Sequence, residues 1–92
     1  MSLHRRAAKR DANEPEIVRA LQAAGAKVWP VSGEGIPDLL VAYQGRFLLM
    51  EVKTKTGKLT RAQIGFCGQV ESYPVHVVRT PEQAVAALCG EG

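Results

Sequence analysis

The stretch IPDLLVAYQGRFLLMEVK, residues 36–53, determines the fold expected for this chain. Two apolar runs flank the dipeptide Gln44-Gly45, which is typical of a tight hairpin turn. They predict two antiparallel strands, from Ile36 to Tyr43 and from Phe47 to Lys53. Because both runs are almost continuously apolar, we expect the sheet to be covered on both faces.

The rest of the chain predicts three helices and two further strands around this hairpin. From the N-terminus these are a helix between Asn13 and Gly25, a strand from Val28 to Val31, a helix capped by Thr60, a strand from Val75 to Val78, and a helix from Pro81 to Leu88. The resulting order, α-β-β-β-α-β-α, is typical of a small α/β fold in which helices flank a mixed β-sheet.

Length and composition indicate a single domain, residues 11–92, behind a basic leader at residues 1–10. The 92 residues are 46% hydrophobic and 23% charged, which excludes a disordered or coiled-coil class. No apolar run approaches the roughly 18 residues of a membrane span, and the first residues do not resemble a secretory signal. Cys67 and Cys89 lack the spacing of a zinc site or a disulfide framework, so we expect a reducing, cytoplasmic environment.

Positive charge is concentrated in two places, although the net charge is only +3. The clustered residues are Arg5, Arg6, Lys9 and Arg10 in the leader, and Lys55, Lys58 and Arg61 after the hairpin. Two such clusters suit an anionic polymer such as DNA better than a small acid. The alternative is two solvated loops.

The hairpin predicts that two carboxylates face each other. If the turn centres between Gln44 and Gly45, the numbers of paired residues sum to 89, and Asp38 and Glu51 form such a pair. Directly opposed residues in antiparallel strands have Cβ atoms about 4.5–5.5 Å apart. Lys53 lies two residues beyond Glu51 and therefore on the same face of the strand.

This arrangement suggests a metal site. Two carboxylates so close repel each other unless a cation or a proton lies between them, and hard oxygen ligands favour Mg²⁺ or Mn²⁺. Lys53 is then placed to hold an attacking water or to neutralise charge on a phosphate. The alternative is a structural salt bridge between Lys53 and either Asp38 or Glu51.

The same residues resemble a known nuclease signature. Pro37-Asp38, a spacer of 12 residues and Glu51-Val52-Lys53 look like the PD-(D/E)xK motif. Together with their surroundings they resemble the small stand-alone VRR-NUC nucleases of phages and bacteria, from about Arg10 to Leu88. The flanking matches are Asp11-x-Asn13-x-x-Glu16-Ile17-Val18, Ser32-Gly33, Gly35-x-Pro37-Asp38-Leu39-Leu40-Val41 and Leu59-Thr60-x-x-Gln63.

The resemblance implies a restriction-endonuclease-like core and a metal-dependent DNA endonuclease. It implies a homodimer acting on branched or Holliday-junction DNA in a bacterial or phage-infected cell, with Mg²⁺ or Mn²⁺ and no organic cofactor. Carried over by position, Glu16, Asp38, Glu51 and the backbone carbonyl of Val52 would ligate the metal. Lys53 would activate the water, and Gln63 would support the water or the lysine.

Two of these residues also have a local structural interpretation. Glu16 sits where a capping-box glutamate would sit if Asn13 caps the first helix, and Gln63 is the natural capping partner of Thr60. We assign no role to His4 or His76.

Two other functions compete with the junction-nuclease hypothesis. One is a flap or single-strand nuclease of the same fold, and the other is a catalytically silent module that binds nucleic acid or protein. The presence of Asp38, Glu51 and Lys53 favours catalysis.

Overall fold

Three helices and four strands follow one another in the predicted order. The computed structural model describes residues 11–70 and 72–90. The elements are α1 (Glu14–Ala23), β1 (Lys27–Pro30), β2 (Leu39–Tyr43), β3 (Arg46–Val52), α2 (Arg61–Gln69), β4 (Val75–Val78) and α3 (Pro81–Leu88). The small mixed α/β fold expected from the sequence is therefore confirmed. In the described residues no helix has the length and apolar character needed to cross a membrane.

The four strands form one mixed sheet in the order β1-β2-β3-β4. Neighbouring strands are antiparallel in the first two pairs, whereas β3 and β4 are parallel and joined through α2. Gln44 and Gly45 have φ values of 49° and 82°, the left-handed conformation of a two-residue hairpin turn. The pairing runs from Tyr43 opposite Arg46 to Leu39 opposite Met50, which confirms the predicted register.

One face of the sheet, packed against α1 and α3, holds the hydrophobic core. The fully buried residues are Ile17 and Leu21 of α1, Leu39 and Val41 of β2, Leu48, Met50 and Val52 of β3, Val78 of β4, and Ala84, Ala87 and Leu88 of α3. In β2 and β3 these residues alternate with less buried neighbours, because successive side chains of a strand point to opposite faces.

The opposite face is only partly covered, so the expectation of a sheet covered on both faces was wrong. Leu40 and Leu49 are half-buried there, while Trp29 and Phe47 keep 45% and 63% of their surface exposed. The crossover helix α2 is the helix on this side, and none of its residues is buried. The apolar runs indicated strands correctly but did not show that one of the helices packs loosely.

Local capping signals account for two helix starts and fail for the third. Thr60 and Gln63 form the predicted capping box at α2, and Thr80 accepts a hydrogen bond from the Gln83 amide at α3. Asn13 occupies the cap position of α1, but its side chain makes no capping hydrogen bond. Its Nδ2 group instead donates to the carbonyls of Lys53 and Arg79, each at 3.0 Å, and ties α1 to the ends of β3 and β4.

Candidate active site

The two hairpin carboxylates converge at the end of β2 and β3. The register that pairs Leu39 with Met50 continues by one residue to place Asp38 opposite Glu51. Asp38 Oδ2 accepts a hydrogen bond of 2.8 Å from the Val52 amide, which holds the Asp38 carboxylate against the neighbouring strand. Glu51 is only 4% exposed, although it carries an ionisable group. The acid pair, Asp38 and Glu51, lies on the face opposite the helix-packed core.

Glu51 holds its proton unusually tightly. Burial, the negative charge of Asp38 and a hydrogen bond between the two carboxyl groups raise the pKa of Glu51 from 4.5 to about 8, against the opposing effect of Lys53. Burial is the largest cause, since a buried carboxylate loses its hydration. At neutral pH, without a cation at the site, Glu51 therefore holds its proton.

Lys53 and Gln63 complete the cluster around Glu51. Lys53 Nζ lies 3.7 Å from Glu51 Oε2, so the expected contact between these two side chains is present and becomes an ion pair when Glu51 is ionised. Gln63 Nε2 donates to the same oxygen at 2.7 Å, while Gln63 also closes the capping box with Thr60. The capping and site roles of Gln63 are thus compatible, because its amide oxygen serves the helix and its amide nitrogen serves Glu51.

The structure does not bring Glu16 to the acid pair. Glu16 is exposed, and residues two apart on a helix point about 200° away from each other. Glu14 is the α1 carboxylate that turns inward, with 7% of its surface exposed. Since Asn13 is bonded to the Lys53 carbonyl, Glu14 stands at the same end of the sheet as the acid pair. The metal-ligand role that the resemblance implies for Glu16 stays a prediction, and its position in solvent does not support it.

The remaining predicted site residues fall into two groups. Lys55, Lys58 and Arg61 are all exposed, in the loop that follows Lys53 and at the first residue of α2. Val52 is buried between Glu51 and Lys53, and the role predicted for its carbonyl stays a prediction. Arg5, Arg6, Lys9 and Arg10 lie outside the described residues.

His76 is separated from the acid pair by the sheet. It pairs with Met50 in the register and so points to the helix-packed face. Burial, and secondarily the charge of Arg46, lower the pKa of His76. A neutral imidazole on the other face cannot serve the acid pair as a general base.

In the described part of the chain, Asp38 and Glu51 provide two acidic ligands at this site, which is fewer than a metal ion needs for a complete ligand set. No group of three or more His, Cys, Asp or Glu side chains able to hold a metal occurs among residues 11–70 and 72–90. The carboxylate oxygens of Asp38 and Glu51 are hard ligands, which Mg²⁺ and Mn²⁺ prefer. A cation bound here would compete with the proton of Glu51 for the carboxylate oxygens.

Comparison with known proteins leaves the family open. No family model matches the chain, and no curated protein matches it significantly. The functional assignment therefore rests on the geometry of the acid pair and its neighbours.

Proposed function

We propose that this protein is a metal-dependent DNA endonuclease with a PD-(D/E)xK-type core. One observation carries the proposal: Asp38, Glu51 and Lys53, separated by up to 15 positions in sequence, meet on one face at the end of a hairpin. A structural ion pair would need only one carboxylate and one lysine. Burial, and after it the charge of Asp38, keep a proton on Glu51, an arrangement that is costly for folding and useful for capturing a cation.

The acid pair fits a divalent metal. Burial, and after it the charge of Asp38, raise the pKa of Glu51, and a bound cation would offset both effects by stabilising the ionised carboxylates. Asp38 and Glu51 would hold Mg²⁺ or Mn²⁺, which would act as a Lewis acid on a phosphate oxygen and lower the pKa of a bound water. Glu14 of α1 is buried at the same end of the sheet, but it does not form a three-ligand group with the acid pair.

The other residues of the cluster have distinct tasks. Lys53 orients the attacking water and offsets negative charge that develops on the phosphate, while Gln63 fixes the Glu51 carboxylate. The exposed Lys55, Lys58 and Arg61 hold backbone phosphates outside the site. Phosphate contacts carry no base information, so DNA structure rather than sequence selects the substrate.

A homodimer suits a branched substrate. Symmetric cutting of a four-way junction needs two sites, and the described chain provides one acid pair of this kind. Trp29 and Phe47 are exposed on the same face of the sheet as the acid pair, and Tyr73 is 68% exposed just before β4. These aromatic side chains support a dimer surface rather than a place in the core. Size-exclusion chromatography with light scattering should give twice the chain mass, and a strict monomer at micromolar concentration would contradict junction cutting.

A cleavage panel tests the activity. Junction, flap, nicked and linear DNA are incubated with the protein in Mg²⁺, Mn²⁺ or chelator. We expect strand cleavage that requires the metal, with the junction cut fastest, and a preference for flap DNA would favour the flap-nuclease alternative. DNA binding without products from any substrate would contradict the nuclease and favour a silent binding module.

A further inference from the structure

Arg79 sits behind the loop that connects Lys53 to α2. Its Nη1 group donates to two backbone carbonyls of that loop, those of Thr54 and Gly57, each at 2.7 Å, and makes a longer, bifurcated contact of 3.5 Å with the carbonyl of Lys55. Asn13 fixes the carbonyl of Arg79 and the carbonyl of Lys53, which begins the loop. Hydrogen bonds from Asn13 and Arg79 therefore hold four carbonyls of this loop, those of Lys53, Thr54, Lys55 and Gly57.

Three converging carbonyls determine the direction of three amides. All described peptide bonds are trans, and in a trans peptide the C=O and the following N–H point in opposite directions. The amides that follow the three bonded carbonyls belong to Lys55, Thr56 and Lys58, so these N–H groups point away from Arg79. Within residues 11–70 and 72–90, none of these three amides donates a hydrogen bond. Their residues are all exposed, which places the amides toward solvent.

An outward-facing group of amides is an anion site. Successive main-chain N–H groups in a turn form a concave, positive "nest" that binds phosphate oxygens. Here the side chains of Lys55 and Lys58 carry full positive charges on the same loop, and the guanidinium of Arg79 adds a third charge from behind. The turn is closed by a hydrogen bond of 3.2 Å from the Gly57 amide to the Thr54 carbonyl, so its shape is set before any ligand arrives.

We propose that the loop at residues 54–58 is a preformed binding site for a backbone phosphate, organised by Arg79 as a positioning residue. The ligand class is a phosphodiester of a nucleic-acid strand, recognised by the amides of Lys55, Thr56 and Lys58 together with the two lysine side chains. This inference rests on the proposed function and adds to it a fixed phosphate site immediately after Lys53. Such a site sets the register of the strand relative to the acid pair.

The test follows the three amides by NMR. In ¹H–¹⁵N spectra, inorganic phosphate and then a short DNA duplex are added to the protein in chelator. We expect the amide signals of Lys55, Thr56 and Lys58 to shift with both. If DNA shifts other amides and leaves these three unchanged, the phosphate site is refuted while the nuclease proposal stands. If DNA shifts no amide at all, the proposed function fails, and the phosphate titration alone decides the loop site.

Arg79→Lys separates the hydrogen bonds from the charge. Lysine keeps the positive charge but lacks the rigid, planar donor geometry with which the guanidinium holds the loop carbonyls. We expect the phosphate-induced shifts to vanish, and the salt dependence of duplex binding to become shallower by about one unit of slope for the lost phosphate contact. The matched control is Arg46→Lys, since Arg46 donates to a single carbonyl, that of Leu88 at 2.6 Å, at the other end of β3. Equal salt slopes for the two variants and the parent protein would overturn the proposal. Should Arg79→Lys fail to fold, the titrations of the parent protein decide.

Discussion

Glu51 should make the metal-free protein less stable as the pH rises through neutrality. The pKa of Glu51 is about 8 in the folded chain, against 4.5 for an ordinary glutamate. Below pH 4.5 both states hold the proton, and Glu51 contributes no pH dependence. Between 4.5 and 8 only the folded state holds it, so the free energy of unfolding falls as the pH rises. Above pH 8 both states have lost the proton and the curve is flat again.

The size of the effect follows from the shift. One pKa unit corresponds to about 1.36 kcal/mol, so a shift from 4.5 to about 8 corresponds to about 5 kcal/mol. The total stability of a small domain is about 5–15 kcal/mol. Glu51 alone can therefore remove a large part of the stability of the metal-free protein between pH 5 and pH 8.

Glu51→Gln is the matching perturbation. Glutamine keeps the shape of a protonated glutamate, its Nε2 can donate to Asp38, and its Oε1 can accept from Gln63. We expect the variant to be as stable as the parent protein near pH 5 and several kcal/mol more stable at pH 8. With a urea dependence of about 1–3 kcal/mol/M, the denaturation midpoint at pH 8 should rise by more than about 1 M.

The assay is urea unfolding in chelator at a series of pH values, followed by circular dichroism. Glu16→Gln is the control, because Glu16 is exposed and its replacement should leave the profile of the parent protein unchanged. A parent profile that is flat from pH 5 to pH 8, or that runs parallel to the profile of Glu51→Gln, would show that Glu51 does not retain its proton in the folded state.

Three further predictions concern the cluster around the acid pair. Lys53→Ala should lower the cleavage rate at least 100-fold, within the range of about 10²–10⁴ for a group that assists proton transfer, while DNA affinity measured by anisotropy stays within a few-fold; unchanged nicking would remove Lys53 from the mechanism. Thr60→Ala should lower the free energy of unfolding by about 1 kcal/mol through the lost helix cap, with little change in the cleavage rate. Gln63→Ala should lower both the free energy of unfolding and the cleavage rate, because it also removes the hydrogen bond to Glu51. Equal cleavage by the two variants in saturating metal would reduce Gln63 to a capping residue. Glu14→Gln and Glu16→Gln should both leave the rise in melting temperature on adding Mn²⁺ unchanged, because neither glutamate forms a metal-holding group with the acid pair; a smaller rise in Glu16→Gln would support the predicted ligand role of Glu16.

The hairpin and its acid pair could be predicted because their determinants are local. Gln44-Gly45 fixes the turn, the turn fixes the register, and the register places Asp38 opposite Glu51. The capping box at Thr60 likewise depends on a motif of four consecutive residues, from Thr60 to Gln63. These features depend on backbone geometry over short distances, which the order of residue types encodes directly.

The features that escaped prediction depend on contacts between distant parts of the chain. Asn13 looked like a helix cap, yet its side chain bonds carbonyls 40 and 66 residues away. That docking turns Glu14 inward and leaves Glu16 in solvent. Arg79 gave no sequence signal, because its partners are main-chain carbonyls of the loop at residues 54–57. Every residue has a backbone carbonyl, so the residue types of the loop do not indicate such a hydrogen bond.

The loose packing of α2 was also hidden in the sequence. The apolar strands suggested a sheet covered on both faces, but Ile64 of α2 is 58% exposed and no α2 side chain is buried. Apolar content alone does not reveal how closely a helix approaches a sheet. The first turn of this helix is nevertheless tied to the acid pair, since Gln63 Nε2 donates a hydrogen bond of 2.7 Å to Glu51.

Calorimetric titration with Mn²⁺ at pH 7 tests most directly whether the acid pair captures a cation. The parent protein should bind Mn²⁺ and release close to one proton per ion, measured as a dependence of the heat on the ionisation enthalpy of the buffer, because the metal displaces the proton of Glu51. Glu51→Gln should bind at least tenfold more weakly and release no proton, while Glu16→Gln should match the parent. Binding by Glu51→Gln as tight as that of the parent protein, or no binding by the parent, would contradict the assignment of Asp38 and Glu51 as the metal site.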